Sequence, residues 1–240
     1  ANGGLVALAG MLAEHFGAIE GASIDANKGA YSSAWTIIFA VIAAIMVLIG
    51  IYHIKMLPST QVPATGKKST SEIVTDLLNV IGNFFTKRHI VYYIFFIILY
   101  RLAEGFIMKV APLFLRASRE VGGLGLSLKE IGTLNGVFGS AAFVIGSLLG
   151  GIFVARYGLK KTLFTLCCVF NLPFIAYTFL AVVQPTSLYL IGTCITMEYF
   201  GYGFGFVGLT LFMMQQIAPG KHQMSHYAFA SGIMNLGVML

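Results

Sequence analysis

The sequence predicts an all-α polytopic membrane protein, a partial bundle of long apolar helices set in lipid. Two composition figures and one pattern carry this expectation. Hydrophobic residues make up 58% of the 240 residues and charged residues only 10%, against roughly 45–50% and about 25% in ordinary globular domains. A water-soluble core of this size has no room for so much apolar surface. The apolar residues also fall in uncharged runs of the length, about 20 residues, that a helix needs to cross a bilayer. The same figures exclude a disordered chain, a nucleic-acid-binding arm and a small disulfide scaffold.

The elements follow in order. Leu5–Leu12 is apolar but too short to cross, and reads as the tail of a helix. Residues 29–52 carry no Asp, Glu, Lys or Arg and form the clearest span, with Tyr31, Trp35 and Tyr52 as interfacial anchors and His53, Lys55 and Pro58 closing it. Pro58 to Arg88 is the main linker. Its first part, with Lys67 and Lys68, reads as a solvated loop. In its second part Ser69 and Glu72 have capping-box spacing, and Ile73, Val74, Leu77, Leu78, Ile81, Phe84 and Phe85 recur at helical intervals. Such a helix is expected to lie in the membrane interface.

Further spans are expected over 89–115, 131–155, 162–183 and 187–217. The second of these follows the capping box Ser127–Glu130, and the third is kinked by Pro173. A last helix starts near Tyr227. The chain opens on Ala-Asn-Gly-Gly and closes inside an apolar run, which reads as a segment of a longer polytopic protein.

The charge balance is +6, with Lys+Arg 15 and Asp+Glu 9. These charges are sparse and sit between apolar runs, so they are topology determinants rather than a nucleic-acid footprint. Lys55, Lys67, Lys68, Lys87, Arg88, Arg156, Lys160, Lys161 and Lys221 share one side; Lys28, Arg116, Arg119 and Lys129 share the other. The richer side is expected to be cytoplasmic. Cys167, Cys168 and Cys194 have neither Cys-x-x-Cys nor Cys/His spacing, so no metal site and no disulfide framework is expected. No cofactor motif is present either.

Four ionisable groups lie inside spans, where each costs about 2.5–3.5 kcal/mol on the lenient insertion scale. Arg101 and Glu104 are three residues apart on one helix face and are expected to pair. Lys109, eight residues from Arg101, falls within about 80° of it around the helix, or else extends its ammonium to the outer interface. Glu198 has no basic neighbour in its own span, and an isolated intramembrane carboxyl is suited to exchanging a proton. These groups read either as a substrate or proton pathway or as structural ion pairs. Near Glu198, Gly201 and Gly205 form a small-xxx-small face for close helix approach, and the hydroxyl of Tyr202 is a candidate substrate ligand. Gly132, Gly136, Gly139, Gly146 and Gly150 make a packing stripe in the 131–155 span, and Asn135 is a polar group there that reaches toward a cavity. There is no GxSxG, HExxH or P-loop, and the five histidines fall at or near span ends. An enzyme is therefore not expected, although a polytopic membrane enzyme or a sensor remains the alternative from another class.

The segment Gly151-Ile-Phe-Val-Ala-Arg156-Tyr-Gly158-Leu-Lys160-Lys161 resembles the loop signature of the major facilitator superfamily, Gly-x-x-x-Asp-Arg-x-Gly-Arg-Lys. Ala155 stands at the Asp position, so the charge relay attributed to that Asp has no carboxylate here. Leu99-Tyr-Arg101-Leu-Ala-Glu104, Ala111-Pro-Leu-Phe-Leu, Glu130-Ile-Gly-Thr-Leu-Asn135, Met197-Glu198-Tyr-Phe and Ser225-His-Tyr-Ala-Phe-Ala-Ser231 are similar to the muropeptide permease branch, which also holds acetyl-coenzyme A transporters. Relatives carry Lys/Arg-x-x-Asp where this chain has Arg101 and Glu104, so the charge is kept on a longer arm.

The resemblance implies a segment from about helix five to helix eleven. Residues 1–57 would end the N-terminal half, 58–88 would be the cytoplasmic linker between halves, and 89–240 would form most of the C-terminal half. It further implies a monomeric secondary transporter of a bacterial inner membrane, working by alternating access between membrane lipids. The expected cargo is a small-molecule cell-wall sugar-peptide imported with protons, with another sugar, a peptide or an acyl-coenzyme A as alternatives. No nucleic-acid partner is expected.

Overall fold

A computed structural model describes residues 2–19, 24–56 and 69–239, and it is helical throughout, with no strand among the described residues. The Pro58–Lys68 part of the expected linker lies outside them. Two compact units form: Ala1–Ser69 with Ser127–Val137, and Thr70–Leu126 with Phe138–Leu240.

The first unit contains α1 (Asn2–His15), α2 (Ile24–Met56) and α5 (Leu128–Thr133). Ala9, Ala13 and Ala34 are buried, small side chains that let the helices close up, and Ile38 is buried as well. The expected capping box is formed: Ser127 Oγ accepts from the Glu130 N–H, and the Glu130 carboxylate accepts from the Ser127 N–H at 2.8 Å. Asn27 is buried and both accepts from the Ile19 N–H at 2.9 Å and donates to its carbonyl at 2.8 Å. Lys129 and Glu14 pair at 3.4 Å in the open, which contributes little to stability. Most of α2 is bare: Phe39, Leu48 and Ile54 are 62%, 66% and 85% exposed. An apolar face that long has no place in water.

The second unit contains α3 (Thr70–Phe85), α4 (Ile90–Arg116), α6 (Ser140–Tyr157), α7 (Leu159–Asn171), α8 (Ile175–Val183), α9 (Leu188–Phe212) and α10 (Gln223–Met239). Two departures from regular helix were not anticipated. A π turn over Leu134–Gly139 breaks the helical run Leu128–Tyr157, and a second over Met213–Ile217 ends α9. Pro173 does interrupt its span, through a 3₁₀ turn over Leu172–Phe174 that separates α7 from α8. The last helix begins four residues before the expected Tyr227.

Four helical runs among the described residues are long and apolar enough to cross a membrane: Asp25–Met56, Ile90–Arg116, Leu128–Tyr157 and Leu159–Val183. The expected span over 187–217 is the 25-residue α9 followed by its π turn.

The glycines of α9 are the centre of the packing. A Cβ at Gly201 would lie 2.6 Å from Pro173 Cγ, one at Gly205 2.6 Å from the Leu166 carbonyl, and one at Gly208 2.7 Å from Leu166 Cδ1. This face sits against α7. The other face meets α6: a side chain at Gly203 would strike the Phe143 carbonyl, and side chains at Gly146 and Gly150 would strike the carbonyls of Phe200 and Phe204. Ser147 Oγ donates to the Gly203 carbonyl at 3.2 Å across the same seam. The expected close-packing face of α9 is thus present, and of the stripe expected in the 131–155 span Gly146 and Gly150 form this seam. On the far side, Gly105 of α4 admits the Val238 backbone of α10, and Gly237 of α10 admits Ile98.

The amphipathic α3 buries only the end of its apolar face. Phe84 is fully buried, while Ile73, Val74, Leu77, Leu78 and Phe85 are at least half exposed. The Phe84 ring lies 5.7 Å from those of His226 and Phe229 on α10. His226 Nε2 is 3.3 Å from the Val80 carbonyl. Lys87 donates to the carbonyls of Ile217 and Pro219 beyond α9, the latter at 2.8 Å, a cation at a helix C-terminus. Desolvation pushes the Lys87 ammonium below its ordinary lysine value.

In the loop motif, Gly158 has φ +80° and joins α6 to α7 at a sharp corner. Gly151 lies inside α6 with open space where a Cβ would stand. The Arg156 guanidinium lies 5.5 Å from the Tyr157 ring. Lys160 and Lys161 open α7 and are exposed.

Gly205→Val is expected to destabilise the full-length protein by about 1–3 kcal/mol, read as a lower unfolding temperature in detergent. Gly50→Ala, where nothing lies within 4 Å, is expected to leave it unchanged or slightly raised. Equal unfolding temperatures for the two variants would contradict the packing described for α9.

Candidate functional site in the second unit

Arg101 and Glu104 are 6% and 3% exposed on α4. The i,i+3 spacing places them on one face, and they pair in a fork. Arg101 Nε donates to Glu104 Oε2 at 2.6 Å and Nη2 donates to Oε1 at 2.7 Å. Both donors lie on one edge of the planar guanidinium, a geometry that a lysine would not reproduce. Two further helices complete the surroundings. Arg101 Nη1 donates to Asn235 Oδ1 of α10 at 3.1 Å. Phe206 of α9 lies under the guanidinium, its ring centroid 5.5 Å from Cζ, a cation–π contact. Immediately before Arg101 on α4, Tyr100 is buried and its hydroxyl donates to the Gly205 carbonyl at 2.8 Å, satisfying a polar group in a tight seam.

Glu198 is 8% exposed near the middle of α9. Among the described residues no cation pairs with it. Its neighbours are the hydroxyl of Tyr177 on α8, Tyr199 beside it, and the Glu104 carboxylate, close enough for the two acids to repel. The Tyr202 hydroxyl neighbours the Glu104 carboxylate, and its ring packs on Phe143, Phe170 and Phe206. Arg101, Glu104 and Glu198 are therefore brought together in one buried cluster of one cation and two carboxylates, with the half-buried Tyr202 beside them.

Two expected members stand apart. Lys109 is exposed, and its ammonium donates to the Met239 carbonyl at 2.9 Å. The angular argument placed it on the Arg101 face, but eight residues also mean about 12 Å of rise, which carries it past the cluster. Asn135 belongs to the first unit and lies in the π turn; its Oδ1 is buried with no hydrogen-bond partner among the described residues. Sequence reasoning missed Asn235, Phe206, Tyr177 and Tyr199. Asn235 carries a readable signal, a carboxamide in an otherwise apolar helical stretch. Tyr177 and Phe206 carry none, because aromatics fill most membrane helices. On the outer face of this unit, the Pro173 interruption borders an apolar groove of about 840 Å³ lined by Ile145, Leu172, Met197 and Phe200; it has no charged lining.

Residues 3–240 match the Major Facilitator Superfamily, and the chain belongs to that family. It is accordingly a multi-pass integral membrane protein. The chain is 26% identical over 229 residues to the putative transporter AmpG 4 of Rickettsia conorii, which covers 95% of this chain and 52% of that protein. It is 27% identical over 123 residues to the anhydromuropeptide permease of Escherichia coli strain K12, covering 51% of this chain and 24% of the permease. The chain thus spans about half the length of the first of these relatives and about a quarter of the second. No solved structure gives a significant match.

Removing one member of the buried pair strands the other. Glu104→Ala is expected to cost about 3–5 kcal/mol, whereas Arg101→Met with Glu104→Met together is expected to cost clearly less than Glu104→Ala alone. Thermal unfolding of the purified variants checks this, and an additive loss in the double variant would show that the two side chains act independently.

Proposed function

We propose that the full protein is a secondary active transporter that imports a cell-wall sugar-peptide together with protons across a bacterial inner membrane by alternating access. Membership of the Major Facilitator Superfamily supports the transporter class, and the names of the relatives support the cargo. The observation that carries the coupling is the count of charges in the buried cluster. Arg101 is matched by Glu104, and Glu198 is left over. A proton on Glu198 brings the three groups to neutrality, which is the state that crosses an apolar surrounding at least cost. Glu198 is therefore the proton carrier, and Glu104 holds Arg101 in place. Arg101 recognises a carboxylate of the cargo, the chemistry its planar donors suit.

Lysines and arginines set the orientation, with the 58–88 linker and the Gly158 corner on the cytoplasmic side. Helices welded through glycine faces move as blocks when the binding region changes sides. Tyr202, beside Glu104, adds a hydroxyl for the sugar.

Full-length protein in proteoliposomes is expected to accumulate an anhydromuropeptide when an inward proton gradient is imposed. Glu198→Gln is expected to abolish accumulation while keeping gradient-free exchange of internal for external substrate. Uptake indifferent to the gradient, or gradient-driven accumulation by Glu198→Gln at the wild-type level, would remove the assignment.

A further inference from the structure

The partners of Arg101 differ in how a molecule arriving from outside would reach them. Glu104 grips the Nε–Nη2 edge from within, at 3% exposure. Phe206 covers a face of the guanidinium and none of its N–H donors. The remaining corner, Nη1, is covered by Asn235 Oδ1 at 3.1 Å, and Asn235 is exposed. The carboxamide is a neutral acceptor, and a carboxylate on the same N–H makes a shorter and stronger bond. An incoming carboxylate can therefore replace the carboxamide without unburying Glu104 or parting the Arg101–Glu104 fork. Nearby packing keeps that corner in register: α4 and α10 approach closely at Gly105 and Val238 and at Gly237 and Ile98, before and after Arg101 on α4 and within a turn after Asn235 on α10.

We propose that Asn235 is the exchangeable cover of the Nη1 corner of Arg101, where a carboxylate of the transported molecule docks, and that its neutral side chain preserves the preference of that corner for anionic over neutral cargo. This deepens the transporter reading above and rests on it. Asn235 is a specificity-determining residue in this scheme, and Arg101 supplies the binding.

The test is binding of an anhydromuropeptide, with free carboxylates or with those carboxylates amidated, to the purified full-length protein by calorimetry. No gradient is needed, so failure of coupling or transport, seen in the uptake assay, is distinct from failure here. Wild type is expected to prefer the acid form. In Asn235→Asp the new carboxylate holds Nη1 itself, and the dissociation constant for the acid form is expected to rise about tenfold or more, as for one charge-assisted hydrogen bond, with the amidated form changed by less than about twofold. In Asn235→Ala the corner is uncovered, and the preference for the acid form is expected to be kept or increased. Equal weakening of both forms in Asn235→Asp, loss of the preference in Asn235→Ala, or no binding of the acid form to wild type would each overturn the assignment.

Discussion

The cost of holding a guanidinium away from water governs the second unit. Arg101 is tolerable on α4 because Glu104 is one turn away on the same face, so that much of the neutralisation is local in sequence. It is not sufficient. The fork uses one edge of the guanidinium, and the rest must be met by other helices, which fixes where α9 and α10 lie. Phe206 supplies a ring and Asn235 an acceptor. The glycines follow from this demand, because α4 and α10 approach closely enough only where Gly105 and Gly237 remove side chains.

The same logic explains the unusual make-up of α9. Its neighbours α6 and α7 press against it on two faces through Gly203 and through Gly201, Gly205 and Gly208. Packing through backbone contact leaves no room for leucine-type filling, so glycines occupy the positions where the helices meet. Glu198 is placed among these glycines, screened from lipid by the surrounding helices and by the tyrosines Tyr177 and Tyr199.

Much of this was legible from the sequence because it rests on short intervals. The Arg101–Glu104 pair is an i,i+3 relation, the capping box at Ser127 and Glu130 another, and the Pro173 break and the Gly158 corner are single-residue effects of proline and glycine. What the sequence concealed was non-local. Asn235 meets Arg101 across 134 residues, and only the fold reveals which carboxamide answers which guanidinium. Of the two readings of Lys109, the exposed one matches its position, because an angle around a helix says nothing about height along it. The π turns at 134–139 and 213–217 escaped because no residue type marks them. The docking of α3 was hidden for another reason: seven residues share its apolar face, and only Phe84 is enclosed.

The two glycine-mediated groups, α6–α7–α9 and α4–α10, meet across a layer of rings. Phe96 lies 4.6 Å from Phe212 and Tyr100 4.9 Å from Phe170. Interlocked main chains are stiff, because sliding one past another forces carbonyls into van der Waals overlap, while flat side chains can rotate past each other with little loss of dispersion. This half of the molecule is therefore built like two rigid plates with a lubricated joint. Two polar links cross that joint: the guanidinium, anchored in one plate by Glu104 and resting on the other through Phe206, and the Tyr100 hydroxyl on the Gly205 carbonyl, so shear between the plates is registered at this pair of neighbours.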